Sequence, residues 1–193
     1  MTATDLRRRL LAAAEEEIAA SGPARASLRA IARRCGVSHQ ATAHHFADRA
    51  GLFTALAVEG SALLYERTVA AIEGAEVAGG QQVAAAGAAY VAFALDRPTL
   101  FDVMLRPELL HLADPALVAA RERHRELVFR TIAAAQETGW SKGVATEEVA
   151  TLGWATVHGL AVLQRDQVVS VVYPEVDLDT ILGRVVRALD VLA

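Results

Sequence analysis

Cysteine, aromatic residues and uninterrupted apolar runs are all scarce in this chain, and each scarcity excludes something. Cys35 is the one cysteine among 193 residues, so no disulfide forms within the chain, as suits a reducing cytoplasm. It reads either as a small buried residue or as a redox sensor. No run of about 18 apolar residues lacks a charge or a break, so no membrane span is expected. Arg7-Arg8-Arg9 followed by Leu10-Leu11-Ala12-Ala13-Ala14 has the opening of a signal peptide, but Glu15-Glu16-Glu17 ends the apolar run too early. Catalytic signatures are missing as well. There is no Gly-x-Ser-x-Gly, no nucleophilic cysteine with a histidine partner, no phosphate loop and no His-Glu-x-x-His. His111, His124 and His158 supply acids and bases, but His124 sits amid Arg121, Arg123 and Arg125 on what reads as a solvated face. No enzyme and no cofactor are expected.

What is present is helix-forming. The chain is 53% hydrophobic and only 5% aromatic, and it is rich in alanine. Ala-rich stretches with charges on one face predict an all-α protein of about nine helices. The first spans about Thr4 to Ala20, with Leu6, Leu10, Ala14 and Ile18 at four-residue spacing. The second and third start near Leu28 and His39. Asp48 caps a fourth that runs to about Gly74. Gly79-Gly80 reads as an internal joint. Further helices are expected over about Gln81–Leu95, Thr99–Leu105, Pro115–Thr138 and Thr146–Arg165, with a last one from Asp177 or Asp179 to Leu192. Asp114-Pro115 is a helix start, aspartate as cap and proline in the first turn. The β-branched run Val168–Tyr173 has no partner strand and is read as irregular or a helix end.

The formal net charge of −4 divides unevenly. Residues 1–50 hold eight basic side chains against five acidic ones, a net of +3, which leaves −7 for the remainder. Such asymmetry marks a nucleic-acid module joined to something else. Within the basic part, Ser27 is an N-cap for a helix whose apolar face is Leu28, Ile31 and Ala32. Gly36 ends that helix in a left-handed conformation, and Val37 plugs the angle to the next. Ser38 caps a short helix exposing His39, Gln40 and His44. Polar side chains on a short, rigidly held helix are what a major groove accepts, so this is a helix-turn-helix and a DNA-binding element. His39, His44 and His45 do not form a metal site, because 44 and 45 point about 100° apart and 39 is not their i+3 or i+4 neighbour. Arg7–Arg9 is either a DNA-tracking arm or a solvated first turn.

Taken together, the first-helix pattern, Ser27-Leu-Arg-Ala-Ile-Ala32, Cys35-Gly-Val-Ser38, His44-His-Phe46 and Asp48-Arg-Ala-Gly-Leu52 resemble the TetR (tetracycline-repressor) family. The resemblance implies a DNA-binding domain over residues 1–50 and a ligand-binding and dimerisation domain over 51–193. It implies that His39, Gln40 and Ala41 face bases, Gln40 being able to pair with adenine. Arg29 would reach a base or a phosphate. His45, Arg49 and the helix start at Ser27 would hold phosphates. Two departures stand out. Ala43 replaces the usual aromatic, often tyrosine, leaving Thr42 and His44 as candidates for its phosphate contact, and Arg49 replaces lysine.

In the second part, Pro98–Leu109 and Trp154-Ala-Thr-Val-His-Gly159 resemble a TetR C-terminal subtype named for its Trp-His-Gly element. Trp154 and His158, at i and i+4, share a helix face. They either line a cavity or are core residues, with His158 bonded to a backbone carbonyl. Phe93, Phe101, Met104, Leu105 and Phe129 are the other wall candidates, and such a wall implies a hydrophobic or aromatic ligand. Leu178, Leu182, Val185, Leu189 and Leu192 step by four and three residues. With Ala155 and Gly159, which permit close helix approach, they either are buried within the monomer or form a homodimer interface, and the family resemblance implies the homodimer. A two-fold dimer would read a near-palindromic site in double-stranded DNA. The expected function is a repressor released by a small-molecule effector. The alternative is a ligand-independent DNA-binding regulator or organiser with a filled C-terminal core.

Overall fold

A computed structural model describes residues 3–76, 80–172, 174–175 and 177–191. Among these residues there are ten α-helices and no strand. They are α1 (Ala3–Ser21), α2 (Leu28–Cys35), α3 (His39–Ala43), α4 (Arg49–Glu73), α5 (Gln81–Asp96), α6 (Pro98–Met104), α7 (Pro115–Glu137), α8 (Thr146–Arg165), α9 (Val168–Val172) and α10 (Leu178–Val191). A 3-10 turn lies at Pro107–Leu109. All nine expected helices are there. The tenth, α9, is the β-branched run read above as irregular or a helix end; it is a short helix of its own after Gln167, whose φ is 59°. Tyr173 lies outside the described residues.

The chain forms two compact units. The first comprises Met1–Ser61 and Thr99–Arg121, the second Ala62–Pro98 and Glu122–Ala193. The division falls within α4. Gly79 lies outside the described residues, and Gly80 is buried at the start of α5, with φ 75°. A Cβ at Gly80 would stand 2.7 Å from the Trp140 indole nitrogen, so this glycine packs against Trp140 and is not an open joint.

The first unit grows from the four-residue spacing of α1. Leu10, Ala14 and Ile18 are buried with Ile31 and Ala32 of α2, Phe46, and Leu52, Phe53 and Leu56 of α4. Gly36, with φ 71°, ends α2: its N–H donates to the Arg33 carbonyl, and the Val37 N–H donates to that of Ala32. Those bonds satisfy carbonyls that a helix end otherwise leaves open. Cys35 is buried here, as its packing reading expects. The segment 99–121 adds Leu100, Phe101, Val103, Leu110 and Leu117 to the interior of this unit. It approaches α4 closely at Gly60, where a Cβ would meet Met104 Sδ at 2.6 Å.

The second unit packs α5 against α8 and α10. Its core includes Ile132, Ala135, Trp140, Val149 and Leu189. The α7–α8 loop grips α10: Trp140 Nε1–H donates to the Val186 carbonyl at 3.2 Å, and Ser141 Oγ donates to that of Leu189 at 2.9 Å. No described helix is long and apolar enough to cross a membrane.

Candidate DNA interface and apolar cavity

Two serines hold the helix-turn-helix. Ser27 Oγ accepts the Ala30 N–H at 3.2 Å, and Ser38 Oγ accepts the Ala41 N–H at 3.1 Å. Each cap satisfies one of the donors a helix start leaves unpaired. On α3, His39, Gln40 and Ala43 are exposed, as is His44 just after it, while Ala41 is half-buried. Thr42 has no exposed surface and reaches the Ser38 carbonyl at 3.5 Å. Its expected DNA contact is therefore corrected: Thr42 is the residue by which α3 sits on the core. His45 is half-buried beside Phe46.

Arg49 is the second correction. Expected at a phosphate, its guanidinium instead donates to the Pro23 carbonyl and lies over the Phe53 ring, 4.8 Å from its centre. Its Nε is buried without a hydrogen-bond partner. Arg49 thus ties the start of α4 to the turn after α1. The arginines of α1 divide similarly. Arg9 donates to the Cys35 carbonyl at 3.0 Å, capping the end of α2, and Arg7 rests over Phe46. Arg8 pairs with Asp5.

The free positive charge lies elsewhere. Arg34 is held by Glu16 and Glu17. Arg25, Arg29 and Arg33 are exposed and have no acidic partner among the described residues. Arg29 and Arg33 stand at i and i+4, one face of α2. Arg25 and Arg33 were not singled out above, although that spacing is visible in the sequence. Asp48 closes this region. It accepts the Gly51 N–H at 2.7 Å, capping α4, and accepts His111 Nε2–H at 3.0 Å. The Gly51 N–H, then the His111 bond, hold its carboxyl below the usual carboxylate range.

The second unit contains a cavity of about 90 Å³. Its walls come from α5, α7, α8 and α10 and include Val128, Ile132 and Val149; a Cβ at Gly153 would meet open space, whereas one at Gly87 would stand 3.0 Å from Val157. Trp154 lines it and is 56% exposed, so it stands at the mouth. Trp154 Nε1–H donates to Tyr90 Oη at 3.3 Å, and Tyr90 Oη lies 3.0 Å from His158 Nδ1. Burial raises the Tyr90 hydroxyl above its ordinary pKa.

The wall expected from sequence is largely not this wall. Trp154 belongs to it; His158 lies outside the lining, with its Nδ1 at the Tyr90 hydroxyl. Phe93 is wholly buried without reaching the cavity, and Phe129 lies under Arg125, whose guanidinium is 4.8 Å from its ring centre. Phe101, Met104 and Leu105 belong to the first unit. The α10 stripe is also corrected. Leu182, Val185 and Leu189 line the cavity, and Leu182 and Leu189 are buried within the chain, so they are not an open dimer face. The Leu178 side chain and Leu192 lie outside the described residues. Ala155 is exposed on α8, and Gly159 is half-buried.

Two residues were missed. Tyr90 lies at i+7 from Val83 and i+3 from Gly87, all on the cavity side of α5. His124, read as solvated, lines the cavity. Thr68 Oγ1 donates to the Leu64 carbonyl at 2.8 Å and meets His124 Nε2 at 3.3 Å. Burial lowers the His124 pKa, which keeps the ring neutral.

Residues 10–56 match the model of bacterial regulatory proteins of the tetR family, and residues 83–189 match that of the tetracyclin repressor-like C-terminal domain. The chain belongs to the TetR family. A Rhodococcus sp. RHA1 protein of unknown function is 32% identical over 95% of this chain and 93% of its own, with a TM-score of 0.81. The FadR regulator of Bacillus subtilis, solved with stearoyl-CoA, shares the fold at 15% identity, covering 95% of this chain and 97% of its own, with a TM-score of 0.73. A TetR family regulator from Marinobacter aquaeolei VT8 does so at 16%, covering 95% and 93%, with a TM-score of 0.71. No curated protein matches the chain. The chain is thus a TetR-family transcription regulator with a helix-turn-helix DNA-binding domain, and its Trp154–Gly159 element falls within the matched C-terminal domain.

Proposed function

We propose that this regulator is a cytoplasmic homodimeric repressor, without catalytic activity, that leaves its operator when a small apolar effector enters the second unit. The observation that carries the reading is the exposed His39–Gln40 edge of α3, capped by Ser38 and seated on buried Thr42. A rigid, exposed polar edge of this kind suits base-edge contacts in a major groove. His39, Gln40 and Ala41 read bases. Arg29 and the α2 start at Ser27 hold phosphates, with Arg25 and Arg33 beside them and His44 and His45 at the far end of α3.

The dimer forms through α8, where Leu152, Ala155 and Leu163 are exposed and Gly159 leaves open space beside its backbone. A two-fold pair presents two α3 helices to a near-palindromic site. Stearoyl-CoA is not adopted as the effector. The cavity has no charged lining residue among the described residues and is well below the ~300 Å³ at which ordinary ligand pockets begin. The presence of a cavity favours effector release over a filled core.

Gel-shift titration against the DNA upstream of its own coding sequence tests this reading. A retarded complex that survives competitor DNA, and a palindrome within the protected sequence, are expected. Binding no tighter than to random DNA overturns it.

A further inference from the structure

We propose that the cavity of the second unit takes a small, uncharged, apolar molecule carrying one hydroxyl, of the size of phenol, whose hydroxyl donates to Nδ1 of His124. This deepens the effector reading above and rests on it.

Size sets the first limit. A dry protein cavity of about 150 Å³ admits benzene. The cavity here is smaller, about 90 Å³, and opens where Trp154 is exposed, so it admits at most one ring, part of which lies at the mouth against the indole. Charge sets the second. Among the described residues no Asp, Glu, Lys or Arg lines the cavity, and a buried, unpaired charge is far costlier than a buried hydroxyl. Burial also keeps His124 neutral, so it offers no counter-ion to an anion.

Hydrogen bonding sets the third. The polar groups of the wall are already engaged, with one exception. Thr131 Oγ1 donates to the Leu127 carbonyl at 2.9 Å, and Tyr90 and Trp154 bond each other. Thr68 gives its own proton to Leu64 and so accepts from His124 Nε2–H, which fixes the tautomer. His124 Nδ1 therefore carries a lone pair, and it has no partner among the described residues. An acceptor in an apolar wall calls for a donor, which a single hydroxyl supplies.

Gly153 provides a clean block. A Cβ there meets nothing within 4 Å, so Gly153→Leu fills the space without displacing backbone. The test is titration calorimetry of the full chain with phenol, toluene and benzoate. Phenol and toluene are expected to bind and benzoate not to. The phenol-to-toluene affinity ratio should fall about five- to tenfold in His124→Phe, the equivalent of one neutral hydrogen bond. Gly153→Leu should melt no lower than the parent and bind none of the three. Benzoate binding as tightly as phenol, an unchanged ratio in His124→Phe, or unchanged binding in Gly153→Leu would each overturn the proposal. So would the absence of phenol heat in a protein that still shifts its DNA, which leaves the regulator reading intact. Phenol that binds without releasing DNA supports the cavity assignment and overturns effector release by this class.

Discussion

Arg49→Ala separates two roles that the sequence alone merges. As a phosphate contact, Arg49 would contribute to affinity through counterion release, and its loss would flatten the salt dependence by close to one unit of slope. The structure gives it a different role. Its guanidinium bonds the Pro23 carbonyl and stacks on Phe53. A hydrogen bond from a charged donor is worth about 1.5–3 kcal/mol, and a partly shielded cation–π contact about 0.5–2 kcal/mol. Against these stands the buried Nε without a partner, whose removal returns about 1–3 kcal/mol. The net loss is about 1–2 kcal/mol, which lowers Tm by about 2–8 °C in a chain of this size. Arg33→Ala is the control, because Arg33 is exposed and has no acidic partner among the described residues. It should leave Tm within about 1 °C and reduce the salt slope by about 0.9 per protomer, or about 1.8 for the dimer. Melting curves and fluorescence-anisotropy titrations at several salt concentrations read both quantities. An Arg49→Ala protein with unchanged Tm and a reduced slope would refute the inward role and restore the phosphate contact.

Gln40→Ala should lower operator affinity by about 1–3 kcal/mol while sparing random DNA, seen as a collapse of the specificity ratio in competition gel shifts. Leu182→Glu or Leu189→Glu should unfold the second unit, at a cost of about 3–5 kcal/mol or more, because each places a carboxylate against an apolar wall; a folded monomer by sedimentation would return the stripe to the dimer interface. His124 predicts an acid dependence. Its folded pKa lies below the ordinary 6.5, so the unfolded chain takes up a proton first as pH falls. Its contribution to stability is therefore level above about 6.5 and declines below it, and His124→Gln should flatten that part of the urea midpoint against pH.

The elements of the fold were legible because their punctuation is local. Ser27, Ser38, Asp48 and Asp114 cap the helices expected of them, and Gly36 ends α2 as expected. What was not legible is where an apolar or charged face goes once the helices meet. The stripe on α10 has the same periodicity whether it is covered by a second copy or by α5 and α8, and here the chain covers it. Arg49 has reach enough for a phosphate or for Pro23, and only the path of the turn after α1 decides. His124 was obscured by its arginine neighbours, yet Val128, Thr131, Ile132 and Ala135 follow it at i+4, i+7, i+8 and i+11, the spacing of one inward face. The effector wall was sought among large aromatics, whereas glycine and alanine open it.

The segment 99–121 gives the proposed release its physical form. It belongs to the DNA-reading unit: His111 bonds both Thr54 and Asp48, and Asp48 caps the helix that directly follows the α3 turn. The chain passes between the units at three points, within α4 after Ser61, near the start of α6, and within α7 after Arg121. All three are helical, and α4 runs unbroken from Arg49 to Glu73. If an effector bound in the second unit weakens operator binding by the first, the two binding events share a coupling free energy. Such coupling is a free energy shared by two sites, so it must work in both directions. If phenol weakens operator binding tenfold, saturating operator must weaken phenol binding tenfold, about 1.4 kcal/mol by either route. Calorimetry of phenol with free protein and with the operator complex closes this cycle. Reciprocity holds by whichever route phenol acts, so Gly153→Leu identifies the route: release of DNA by phenol that persists in this variant would mean that phenol acts outside the cavity.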